Sequence, residues 1–235
     1  MQSKHRNSSE VVVVLHGFAA SPRWMTLVCR RVARTGRRVV NWGYPSWRRS
    51  IDLNGQDLLQ TVYDLAEDQS VQRIHFLTYS MGSIICRAAL LKDPQVPKVG
   101  RVVMLGPPNR GSHVASLLAP LFGWMVPAAR ELSTRPDSYV NGLPRMQGVE
   151  VGVIAGGRDR VVRHDCTHLP SQREHLIVPR GHAGLLLSRE VARTALRFVE
   201  TGSFKSQKEV PETKAVVLGS WPVPSVGTGL PIENV

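Results

Sequence analysis

Six short runs of nearly unbroken apolar, largely β-branched residues constrain this chain more than any other feature. They cover residues 11–15, 38–42, 74–78, 101–105, 150–155 and 175–178. Strands with one wet face alternate apolar and polar residues, whereas strands buried on both faces read as continuous hydrophobic runs, as in parallel sheets covered by helices. Helical stripes lie between many of the runs. Trp24, Leu27, Val28 and Val32 share one face, as do Leu58, Leu59, Val62 and Leu65. Ile84, Ile85, Ala88 and Leu91 form a third stripe, and Val191, Ala195, Leu196 and Val199 a fourth. The β-α alternation predicts an α/β class with about six mainly parallel strands and helices on both faces.

At 235 residues and 42% hydrophobic content, the chain can bury one sizeable core. The expected organisation is a flexible N-terminus over 1–10, an α/β domain over 11–204, and a Pro/Gly-rich extension over 205–235. That extension reads as a disordered tail, with a short strand at 215–218 left open. Cys29, Cys86 and Cys166 are scattered and odd in number. Together with a polar N-terminus and no membrane-length apolar run, they predict a cytoplasmic protein with reduced thiols. Asn7-Ser8-Ser9 matches a glycosylation acceptor but carries no meaning without a secretory route. The formal charge of +12 favours anionic surfaces and substrates. Its arginines are spread along the chain and no nucleic-acid motif accompanies them. The expectation is therefore no nucleic-acid partner and at most weak attraction to anionic membranes. Oligomeric state is not legible.

The third run leads straight into Thr78-Tyr79-Ser80-Met81-Gly82, followed at once by an apolar helical pattern. This is the layout of a nucleophile elbow, a strand–serine–helix turn so tight that the hydroxyl projects from the sheet's carboxyl edge. Small residues are needed two before and two after the serine, and here they are Thr78 and Gly82. The bland alternative is a serine capping an ordinary helix.

Acyl transfer by a serine requires a base, a carboxylate that orients the base, and donors for the oxyanion. Each has a candidate, in the order Ser–acid–His. His182 follows the last run in a Gly-containing loop before the final helix, the place from which an imidazole reaches a serine at the sheet edge. Asp159 follows the fifth run and a glycine turn, with Asp165 as the fallback. For the oxyanion, one N–H comes from Met81, the residue after the serine. The other is expected from Phe18, because Gly17 in Leu15-His16-Gly17-Phe18 lets the backbone turn inward. A second cluster, His164, Asp165, Cys166 and His168, fits no standard metal spacing and reads as a polar surface loop. No metal or organic cofactor is expected.

Taken together, these pieces resemble the compact lipase-like α/β-hydrolases, including bacterial class-2 lipases and, more distantly, GPI inositol-deacylase-like hydrolases. The resemblance rests on His16-Gly17-Phe18, the stretch 39–46, the elbow, Gly106-Pro107-Pro108-Asn109-Arg110-Gly111-Ser112, and Gly181-His182, and spans roughly 11–204. It implies serine esterase or lipase activity with Ser80, Asp159 and His182 as the triad. It also implies that His16, Gly17 and Tyr79 lie at the site, with Asn109 and Arg110 near its mouth. The first run begins by residue 11, so the two extra N-terminal strands of larger hydrolases are not expected, and no insertion of lid size is evident. The apolar stretch 114–126 reads either as an ordinary packed helix with loops or as a contact for an acyl chain, and the second reading leans towards a small-molecule acyl ester or lipid-like substrate. Acyltransferase or thioesterase chemistry, or a non-catalytic hydrolase-fold binding protein, are the alternatives.

Overall fold

The computed structural model describes residues 9–123 and 126–206. The expected terminal segments, the 215–218 strand and the Asn7 acceptor site lie, apart from residues 9, 10, 205 and 206, outside the described residues. All six runs are strands: β1 (Glu10–Leu15), β2 (Arg38–Trp42), β3 (Arg73–Tyr79), β4 (Val99–Leu105), β5 (Val151–Gly156) and β6 (Glu174–Val178). They form one sheet, every neighbouring pair parallel, in the order β2-β1-β3-β4-β5-β6. The helices are α1 (Thr26–Ala33), α2 (Ile51–Glu67), α3 (Met81–Lys92), α4 (His113–Phe122), α5 (Pro127–Glu131), α6 (Tyr139–Gly142), α7 (His182–Leu187) and α8 (Arg189–Thr201).

Strand residues alternate between two cores because successive side chains point to opposite faces. Val11, Val13 and Leu15 of β1 pack with Ile51, Leu58 and Val62 of α2 and Ile84 and Ile85 of α3. Val12 and Val14 pack instead with Val28 and Val32 of α1 and Val191, Ala195 and Phe198 of α8. The strand order explains this division. The β1→β2 link steps one way along the sheet and β2→β3 steps back across β1, so right-handed crossovers place α1 and α2 on opposite faces. Of the expected α1 stripe, Val28 and Val32 are buried, but Trp24 and Leu27 are exposed. Trp24 lies in a separate 3₁₀ turn, Pro22–Met25, whose break in helical phase buries Met25 instead.

Two buried polar residues sit where an apolar pattern predicts none. Arg87 on α3 is buried, and its guanidinium donates to the carbonyls of Leu143 (2.6 Å), Pro144 (3.1 Å) and Asn109 (3.4 Å). It ties α3 to the loop after β4 and to the approach to β5. Burial lowers its pKa to about 10.

His75, in the middle of β3, is 1% exposed. The β3–β4 register shifts by one residue between Ile74 and Phe76, a bulge on β4. The Arg101 N–H at the bulge donates to His75 Nδ1 at 2.9 Å. Gly100 leaves room for the ring, since a Cβ there would stand 2.7 Å from it. Burial, and then the charges of Arg37, Arg101 and Arg73, lower the His75 pKa to about 3. The folded-state value lies below that of the unfolded chain. The neutral imidazole's contribution is therefore fully present above about pH 6.5 and is lost progressively as pH falls towards 3, at up to about 1.4 kcal/mol per pH unit. Urea unfolding at pH 7 and pH 5 is expected to show the loss, and a His75→Gln variant to show a flatter pH dependence. Equal slopes in the two proteins would contradict it.

Candidate active site

The sheet reverses its winding direction between β1 and β3. In open α/β sheets a crevice forms at that point, outside the carboxyl ends of the strands, because the two adjoining loops leave in opposite directions. His16-Gly17-Phe18 leaves β1 there, and Ser80 leaves β3.

Ser80 has φ +50° and ψ −124°, a conformation that costs a non-glycine residue about 1–3 kcal/mol. The turn is pinned on both sides. The Ser80 N–H donates to Leu105 O and its carbonyl accepts from the Ser83 N–H, each at 2.9 Å. Its hydroxyl does not cap α3. Gly82 is required by close approach: a Cβ there would meet His16 O at 2.4 Å and Leu15 Cβ at 2.9 Å. Thr78, where the motif has its first glycine, is fully buried, with its hydroxyl 2.9 Å from Ser83 Oγ and 3.2 Å from Val103 O. A threonine is tolerated because its one polar atom is satisfied. Gly82→Ala pushes β1's end and the 16–18 loop away from the elbow. Expected results are a destabilisation of about 1–3 kcal/mol in thermal melts and a turnover reduced ~10²-fold. Wild-type values for both would contradict this account of the glycine.

Asp159 and His182 meet. Their Oδ2 and Nδ1 atoms are 2.5 Å apart, and the Asp159 side chain is wholly inaccessible to solvent. Its Oδ1 accepts from the N–H groups of Val161 (2.8 Å) and Val162 (2.9 Å), which fixes the carboxylate plane. Asp165 is exposed and paired with Arg163 at 2.8 Å. His182 opens α7, and its ring lies tilted against Tyr79 with centroids 4.8 Å apart. Gly106, at φ +56°, passes beneath it; a Cβ there would stand 3.2 Å from the imidazole. The far end of α7 is anchored by Arg31, whose guanidinium donates to the carbonyls of Leu186, Leu187 and Ser188. Burial, with the neighbouring Asp159 charge, holds the Tyr79 phenol well above its ordinary range, so it is a neutral wall. Nδ1 is committed to Asp159, which leaves Nε2 available to Ser80. No hydrogen bond joins Ser80 to His182 among the described residues; without substrate such bonds are often long and tighten only in the reacting complex.

The 16–18 loop is clamped from behind. Tyr44 stacks on His16 (centroids 4.1 Å, planes 2° apart) and donates its hydroxyl to His16 O at 2.5 Å. His16 is buried, which lowers its pKa, and its Nδ1 lies 2.8 Å from Gly17 O. Its Nε2 accepts from the Tyr44 N–H at 3.4 Å, so Nδ1 carries the proton and donates to Gly17 O. In a trans peptide the C=O and the following N–H point in opposite directions. Holding Gly17 O towards His16 therefore aims the Phe18 N–H away from it. Gly17 itself touches the elbow: a Cβ would stand 3.1 Å from Ser80 Cβ. Among the described residues neither the Phe18 nor the Met81 N–H has a protein acceptor.

Ser80 opens onto a cleft of about 870 Å³. Phe18, Trp47, Val114, Ala115, Val126 and Leu132 contribute to its largely apolar wall. The 114–126 stretch therefore reaches the cleft through α4 and the residue before α5. Asn109 does not line it. Its side chain is buried and donates to Thr167 O at 2.8 Å, bracing the loop. Arg110 is exposed, with its backbone N–H held by Cys166 O. Trp47, Arg48, Ser112, Val161 and Val162 also line the cleft and were not singled out from sequence. The signal for the first two was their position just past the carboxyl end of β2, next to the stretch 39–46. Among the described residues no three His, Cys, Asp or Glu side chains gather as a metal site. Of the 164–168 cluster, Asp165 faces Arg163, His168 stacks on His175, and Cys166 Sγ lies 3.9 Å from His113 Nε2.

This is the α/β-hydrolase fold of lipases and esterases, reduced to six strands. The mature form of the Bacillus licheniformis lipase BlEst2 superposes with a TM-score of 0.66 at 17% identity, over 82% of this chain and 91% of that one. Among curated proteins, the chain is 28% identical over 180 residues to a 2-hydroxy-6-oxononadienedioate/2-hydroxy-6-oxononatrienedioate hydrolase of Cupriavidus pinatubonensis. That match covers 72% of this chain and 58% of the relative. Ethanol acetyltransferase 1 of Wickerhamomyces anomalus is 24% identical over 136 residues, 55% of this chain and 34% of the relative. The matches thus span about a third to under three fifths of these curated relatives. No protein-family model matches the chain. No helix among the described residues is long and apolar enough to cross a membrane.

Proposed function

We infer that the chain is a serine hydrolase that cleaves carboxylic esters through an acyl-enzyme. The observation that carries this reading is the 2.5 Å contact between His182 Nδ1 and a fully buried Asp159, set beside a serine held at positive φ. Ser80 Oγ attacks the ester carbonyl carbon while His182 Nε2 takes the hydroxyl proton. Asp159 keeps the other imidazole proton on Nδ1 and stabilises the imidazolium. The carbonyl oxygen, now anionic, is received by the N–H groups of Phe18 and Met81, which have no competing acceptor among the described residues. Collapse breaks the bond to the alkoxy oxygen, and His182 returns its proton to the departing alcohol. Water then attacks the acyl-serine by the same sequence and restores Ser80.

The apolar cleft supports a lipid-like or medium acyl group as the part that is buried. Two observations favour a second outcome at the same acyl-enzyme, transfer to an alcohol: the similarity to ethanol acetyltransferases, and the cleft's apolar wall, which suits an alcohol better than bulk water. Purified protein with a series of chromogenic acyl esters tests both. Release of chromophore and free acid supports hydrolysis. Added alcohol that diverts most of the acyl group into a new ester supports transfer. No turnover of any ester by folded protein would contradict both.

A further inference from the structure

The cleft at Ser80 is largely apolar, with Ser80, Ser112 and Arg48 as the polar side chains among its described lining residues. Among the described residues, Arg48 is the only charged one that lines it, and its side chain is exposed, with no ion pair or hydrogen bond. Its neighbour Arg49 is engaged by Asp57, and carboxylates on the wall-forming segments are committed elsewhere, Asp159 to His182, Asp165 to Arg163 and Glu131 to the Ile51 N–H. Among the described residues no acidic one lines the cleft. Arg48 follows Trp47, whose ring lies 4.7 Å from that of Phe18, and all three line the cleft. Two further exposed arginines, without ion pairs among the described residues, lie on the wall-forming loops: Arg110, between the lining residues Pro108 and Ser112, and Arg160, just before Val161.

We propose that the substrate is an amphiphilic ester that carries an anion, a carboxylate or phosphate, and that Arg48 selects it. This rests on the ester-hydrolase reading above and adds a substrate class to it. An apolar chain accounts for the cleft wall and leaves Arg48 without a counter-charge. A guanidinium with no protein carboxylate has its fork of donors free, and that fork matches both carboxylate and phosphate. The positive net charge draws such substrates towards the protein before they bind. The anion can belong to the acyl side, as in the half-ester of a dicarboxylic acid, or to the alcohol side, as in an acyl glycerol phosphate.

The test compares two matched pairs. The first is p-nitrophenyl hexanoate against the p-nitrophenyl half-ester of adipic acid. The second is a monoacylglycerol against the corresponding acyl glycerol phosphate, followed by acid release. Wild-type protein is expected to prefer the anionic member of at least one pair in kcat/KM, and the preferred pair identifies which side carries the charge. Arg48→Gln is expected to lower that anionic-to-neutral ratio by ~10-fold or more, with Arg48→Lys keeping part of it. Added salt weakens the preference of the wild type more than that of Arg48→Gln. Arg48 is exposed, so both variants are expected to fold, and thermal melts check this. Neutral esters cleaved with no anion preference, or a ratio unchanged in Arg48→Gln, overturns this proposal and leaves the hydrolase reading standing. No turnover of any of the four, together with no labelling by a fluorophosphonate, overturns the hydrolase reading itself.

Discussion

Ser80→Ala is expected to lower ester turnover by about 10⁴-fold or more and to leave thermal stability within about 0.5 kcal/mol of wild type. The two halves of this expectation come from one geometry. The hydroxyl makes no capping bond to α3, and the turn is held instead by backbone bonds to Leu105 and from Ser83. Alanine keeps the same Cβ and the same positive φ, so the strain of the turn is unchanged. What disappears is the one atom placed to attack. A serine that merely capped the helix would give the opposite pattern, with stability lost by about 1 kcal/mol and turnover kept. Melting curves and turnover measured on the same preparation separate the two.

Asp159→Asn is expected to cost about 10³–10⁴-fold in turnover, through the tautomer of His182. In the wild type, Oδ1 accepts from the Val161 and Val162 N–H groups, which fixes which end of the carboxylate faces the histidine. An asparagine must give its carbonyl oxygen to those two N–H groups. Its amide nitrogen then faces Nδ1 as a donor, which forces the imidazole proton onto Nε2, the atom that must accept from Ser80. Asp165→Asn is the control. Asp165 is exposed and paired with Arg163, away from His182, so its removal is expected to leave turnover near wild type. Equal losses in the two variants would contradict the assignment of roles to the two carboxylates.

Much of this was legible in the sequence, for a physical reason. A parallel sheet buried on both faces writes itself as continuous apolar runs, and all six runs are strands. The placement of Ser80, Asp159 and His182 past the carboxyl ends of β3, β5 and β6 was legible because each follows a strand end within a few residues, where chain order determines spatial order. Side chains whose environment is set by distant segments were not. Arg87 lies on a buried helix and is solvated by carbonyls from residues 109, 143 and 144, which no local pattern announces. His75 is accommodated by a bulge and a glycine on the neighbouring strand. Asn109 was expected at the mouth as part of a loop motif, yet its side chain turns inward to Thr167. Trp47, Arg48, Val161 and Val162 line one cleft only because β2 and β5 end at the same edge of the sheet, so the cation among the described lining residues was hidden in a chain with arginines throughout.

The central claim is that Ser80 is a nucleophile activated by His182. Its most direct test is reaction of the purified chain with a fluorophosphonate, followed by mass mapping of the modified peptide. The account predicts stoichiometric modification at Ser80, strongly slowed in His182→Ala and absent in Ser80→Ala. Folded protein that cleaves esters yet stays unlabelled at Ser80, or is labelled on another residue, would contradict it.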